Sequence, residues 1–182
     1  MIEAYPLSWP IQHPRTPEIE RTRAKFGRKD NHSEYSWSTT KPLTLAQACD
    51  RVRKELNAYT RTGQTYRVHP DSVIISTNIP TNKSGLPRSG HRKPLDPGAA
   101  VYFDLDGEPY CLPCDKWDRV EDNIAAIAAH IGAMRSIERW GVGTAHNAFT
   151  DFKALPEEAS STTDAWSVLG LQGKPGTFQE VK

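Results

Sequence analysis

Cysteine is scarce: the 182-residue chain has three, Cys49, Cys111 and Cys114. So odd and sparse a set points to a reducing cytoplasm rather than to a secreted disulfide scaffold. Long apolar runs are missing too, so no segment is expected to span a membrane. The opening MIEAYPLSWPIQHP lacks the basic and apolar stretches of a secretory leader. Net charge is only +1, so bulk electrostatics does not direct the chain to nucleic acid or to an anionic membrane. Any such binding must rest on a local patch. No internal repeat is present.

What is there, 37% hydrophobic and 25% charged residues, is enough apolar material for one domain core with a tail. Pro6, Pro10, Pro14 and Pro17, with Trp9, predict an extended arm that packs onto something else. RTRAKFGRK and EYSWSTT read as short strands, the second alternating Tyr35, Trp37 and Thr39. Thr44 and Gln47 form a capping box for a helix over 44–60. Its stripe is Leu45, Ala48, Cys49, Val52, Leu56 and Tyr59, and Gly63 stops the run.

SVIIST predicts a short strand at the centre of a sheet, followed by a long loop over 79–98. GAAVYFDLDGEPYCLP predicts a hairpin turning at Asp106-Gly107. A second helix over 117–140, capped by Asp115, carries the stripe Trp117, Val120, Ile124, Ile127, Ile131, Met134 and Ile137. Gly141 follows it as a C′ residue. Residues 142–165 read as a linker with an anchoring cluster of Phe149, Phe152 and Leu155. The predicted architecture is an α+β module over 1–155, with two main helices on one face of a mostly antiparallel sheet. Residues 156–182 form a linker and tail.

Four segments attract a chemical reading. Cys111-Leu-Pro-Cys114 has zinc-knuckle spacing, but no second ligand pair follows it, so packing is the expected role. Asp104, Asp106, Glu108, Asp115, Asp118, Glu121 and Asp122 cluster in sequence without the acidic-x-Lys pattern of a magnesium-dependent nuclease. His69-Pro70-Asp71 reads as the approach to a strand. The loop over 79–98 is the most unusual segment. Lys83, Arg88, His91, Arg92 and Lys93 are its candidate binding residues, and Gly85 and Gly90 permit close backbone approach. No catalytic or metal-binding set is assigned, and no cofactor is expected.

Near the end, Trp166, Val168, Leu169, Gly170 and Leu171, followed by Thr177, Glu180 and Val181, resemble the opening of a J domain. ISTN, DPG-x-AVYF, CD-x-W-x-x-V-x-DN and ERWG resemble a group of bacteriophage and mobile-element proteins. Those carry a J-like domain behind an uncharacterised N-terminal module. The resemblance implies an origin and an architecture but no mechanism. The J helices do not follow within these residues, so recruitment of a heat-shock chaperone is not carried over. The resulting expectation is a phage- or prophage-encoded, non-catalytic module that binds a host or phage protein. A nucleic-acid-binding accessory of replication or recombination is the first alternative, and a metal-dependent nuclease the second.

Overall fold

The computed structural model describes residues 2–24, 26–29, 40–59 and 68–154. The J-like tail and the Tyr35–Trp37–Thr39 alternation lie outside them. Among the described residues, two antiparallel sheets form. β1 (Gly27–Lys29) pairs with β2 (Thr40–Pro42). β3 (Ile74–Thr77), β4 (Ala99–Leu105) and β5 (Glu108–Cys114) form the main sheet in that order. The predicted strand SVIIST is therefore a sheet edge, and β4 is the centre. The three apolar, β-branched residues in a row, Val73, Ile74 and Ile75, need only burial, which an edge under an arm also supplies.

The hairpin turns where the sequence predicts. Asp106 and Gly107 have φ of 53° and 84°, the pair of positive values a two-residue turn of this hand requires. The flanking pair Leu105–Glu108 is then hydrogen-bonded, and pairs alternate from there. Pro109, Cys111 and Pro113 consequently turn their backbone groups to the outer edge of β5. Two of these three positions are prolines, with no N–H to leave unpaired or to offer to a foreign strand. The Pro109 carbonyl accepts a 2.9 Å bond from the Ala154 N–H, in keeping with that orientation.

Helix α1 (Leu45–Ala58) begins at Thr44, whose hydroxyl and backbone close a reciprocal capping box with Gln47. Helix α2 (Val120–Arg139) begins later than predicted. Arg119 holds its N-cap position without a side-chain cap, so Asp115 is not the cap, and Trp117 stands outside the helix in a bridge with Thr22. The C-terminal end of α2 matches the sequence: Gly141 N–H bonds the Glu138 carbonyl and Val142 N–H the Ile137 carbonyl. A short helix α3 (Ala145–Phe149) occupies the expected linker, and Phe149 is fully buried.

Strand alternation sorts the two faces of the main sheet. Ala99, Val101, Phe103 and Leu105 of β4, with Tyr110 and Leu112 of β5, join Val52, Leu56, Ile124, Ile127 and Ile131 in one core beneath the helices. Phe103, Tyr110 and Phe149 pack as an aromatic triad with ring centroids 5.6–5.9 Å apart. Ala100, Tyr102 and Cys111 face the other way, where Leu7 of the arm covers them.

Candidate functional site

The loop over 79–98 is tied at both ends and along its first half. Asn82 Oδ1 accepts the Ser84 and Leu86 N–H groups at 2.8 and 3.2 Å. Arg88 N–H bonds the Pro80 carbonyl at 2.8 Å, closing a small turn whose Pro87 is buried. At the far end Asp96 accepts from Asn78 Nδ2 at 3.0 Å and from the Gly98 N–H at 3.1 Å. Between these anchors Lys83, Arg88, His91, Arg92 and Lys93 are all exposed. Among the described residues, none of the four lysine and arginine side chains makes an ion pair or a hydrogen bond. His91 Nδ1 meets the Arg92 carbonyl at 2.9 Å. Leu95 beside them is fully exposed. The structure brings the predicted residues onto one anchored loop and does not gather them around a cavity.

The arm backs this loop. Its Ala4 carbonyl accepts the outward N–H of Thr77, its Ser8 carbonyl accepts the Tyr102 hydroxyl, and its Ser8 N–H bonds Ser76 Oγ. Gly98 makes the close approach possible: a Cβ there would stand 2.9 Å from Leu7 Cδ2 and 3.0 Å from Arg15 Nη2. Asp115 is the hub. Only 4% exposed, it accepts from Thr16 Oγ1 at 2.7 Å and Thr16 N–H at 3.0 Å, and pairs with Arg15 at 2.9 Å and Arg21 at 3.7 Å. Arg15 also pairs with Asp96 and lies 4.2 Å over the Trp9 ring. The capping carboxylate expected from the sequence is thus the arm's ionic socket.

Two of the other carboxylates take partners of their own. Asp106 faces His146 at 3.8 Å, and Glu108 pairs with Lys153 at 2.9 Å, which holds its carboxyl below the usual range. Cys111 and Cys114 sit three positions apart on one strand, an odd separation that sends their thiols to opposite faces. Cys111 packs with Ala100 and Tyr102, and burial pushes its thiol up to about 12. Cys114 instead packs against the core and donates to Asn123 Oδ1 at 3.4 Å. His69-Pro70-Asp71 enters a 3-10 turn (Pro70–Ser72) that leads into β3.

Asp122, 1% exposed in the first turn of α2, leaves Oδ1 without a partner among the described residues and has Arg119 only at 4.0 Å. Burial pushes its carboxyl pKa up, against the opposing pull of Arg119. A pKa raised in the folded state means stability present below the ordinary carboxylate range and lost as pH rises through the raised value. Asp122→Asn is therefore expected to stabilise the protein by roughly 1 kcal/mol at neutral pH. The gain should vanish near pH 3, and thermal melts at the two pH values check it.

A cleft of about 250 Å³ opens between α2 and the edge of β5, lined chiefly by Leu112, Cys114, Ala126, Ile127, His130 and Phe152. No motif in the sequence points to it, because its lining comes from three distant segments and no local spacing marks them. Phe152 stands between two imidazoles, stacked on His13 at 5.7 Å and edge-on to His130 at 5.2 Å. No protein-family model, curated protein or solved structure matches the chain.

Proposed function

We propose that the chain is a non-catalytic interaction module that binds an acidic surface of another protein through residues 81–98. One observation carries this reading: four cationic side chains, without partners among the described residues, stand on a loop anchored at both ends. Anchoring lowers the ordering cost of binding, and unpaired cations supply charge complementarity and a fast encounter. Exposed Leu95 offers an apolar contact amid the charge. The resemblance to mobile-element proteins makes a host or phage protein in the bacterial cytoplasm the partner, defence proteins among them.

Nucleic acid is the competing occupant because the same cations would meet phosphates. Two facts favour protein: the chain is nearly neutral, and the loop holds no Phe, Tyr or Trp on which a base could stack. The test pairs capture from infected cells with DNA titrations across salt, using the parent chain and an Arg88→Ala/Arg92→Ala/Lys93→Ala variant. Stoichiometric capture of one acidic protein, lost in the variant, is the expected result. Tight DNA binding near physiological salt, with a salt slope reduced by roughly 0.9 per neutralised phosphate contact, overturns it.

A further inference from the structure

We propose that the arm over residues 4–21 is a releasable clasp on the loop over 79–98, one that holds the loop's far half and so controls how Arg92 and Lys93 are presented. The proposal rests on the reading of that loop as the binding surface and adds what regulates it. Asn78 and Asp96 are its positioning residues.

These two residues stand at the feet of the loop, one directly after β3 and the other three positions before β4. Asn78 Nδ2 donates to Asp96 Oδ2 at 3.0 Å, so the feet are tied to each other. Each foot is also gripped from the arm. Asn78 Oδ1 accepts the Leu7 N–H at 3.1 Å, and Asp96 pairs with Arg15 and, at 3.6 Å, with Arg21. The same two arginines pair with buried Asp115. One docking event therefore fills the ionic socket and closes the grip on both feet.

The two halves of the loop depend on this grip unequally. The near half supports itself: Asn82 N–H bonds the Leu86 carbonyl and Arg88 N–H the Pro80 carbonyl, each at 2.8 Å. Residues 89–95 make no backbone–backbone hydrogen bond among the described residues. Their hold is the Asp96 foot. Beyond it the Pro97 carbonyl accepts from Asn123 Nδ2 of α2 at 2.8 Å, which leaves the Asp96 carboxylate to the arm, to Asn78 and to the Gly98 N–H. Lifting the arm strips both guanidinium partners from that carboxylate and loosens the half that carries Arg92 and Lys93. A loosened loop must be ordered again on binding, which weakens the complex. By linkage, an occupant that holds the loop favours the docked arm.

Limited trypsin digestion of the full chain, with fragment masses giving the initial rate at each site, tests the clasp. Asp115→Asn lifts the arm without altering the loop or either foot. Cleavage after Arg92 should then accelerate about fivefold, the worth of one partly exposed ion pair. Cleavage after Lys83, in the self-supporting half, and after Lys54, within α1, should keep the parent rates. Arg15→Ala, on the half-exposed side of the cluster, should give the same pattern and serves if Asp115→Asn does not fold. An unchanged Arg92 rate in a folded variant, or equal acceleration after Lys83 or Lys54, overturns the proposal. These rates need no partner, so they stand apart from the capture experiment. In the captured complex, cleavage after Arg15 and Arg21 should slow by a similar factor, and equal rates with the loop bound and free overturn the coupling. A parent chain that captures no acidic protein overturns instead the reading of the loop as the binding surface.

Discussion

Ile131→Asp is expected to leave no cooperative thermal transition. Ile131 is fully buried where α2 meets the sheet, within the core that both helices share. The substitution forfeits roughly 1.5–3 kcal/mol of apolar burial. It also places an unpaired carboxylate in a setting that costs several kcal/mol more. Against a total stability on the order of 5–15 kcal/mol, that sum removes the folded state at physiological temperature. Ile131→Val serves as the control and should cost only about 0.5–1.5 kcal/mol. Circular dichroism melts of the three chains decide the matter. An aspartate variant that melts like its parent would mean the apolar stripe of α2 is not the core.

The second large effect is expected from Asp115→Asn. Its carboxylate serves Arg15, Arg21 and Thr16 together, and it is buried while its arginine partners keep some solvent. Breaking a buried pair typically costs about 3–5 kcal/mol. Arg15 remains 35% exposed, and water would recover part of its charge. We therefore expect a loss of about 2–3 kcal/mol, concentrated in the arm. Tryptic cleavage after Arg15 and Arg21 should then accelerate roughly 30-fold or more, as local opening becomes easier. A cleavage rate equal to that of the parent would show that the ion cluster does not hold the arm.

Asp115 also marks the reach of local sequence signals. Some were legible: the Thr44–Gln47 box, the Asp106-Gly107 turn and the α2 stripe from Val120 onward each depend on residues a few positions apart, and each sits where the spacing placed it, whereas Trp117 falls outside the helix. An acidic residue shortly before an apolar helix has the same local appearance whether it caps the helix or binds an arm from the other end of the chain. The partners that settle its role, Arg15 and Thr16, lie about a hundred positions away, with the Thr16 bonds spanning 99. The same holds for the edge position of β3, which depends on what pairs with β4 and on the arm above it. The loop cations were nameable because their distinction is compositional. The Asn78–Asp96 link was not, because 18 positions separate the two and neither carries a local sign of the other.

The arm's attachments have a consequence in time. Its bonds to Ser76, Asn78, Tyr102 and Asp115 span 68, 71, 94 and 99 residues, whereas the β4–β5 hairpin closes across two. Contacts of such separation form late, after local ones have reduced the entropy of closing the loop. On a ribosome adding about 5–20 residues each second, Thr16 would wait on the order of 5–20 s before Asp115 is even synthesised. During that interval the arm has only its prolines to keep it extended and no surface to lie on. Docking of the arm through Asp115 is therefore expected late in folding, after the hairpin has closed.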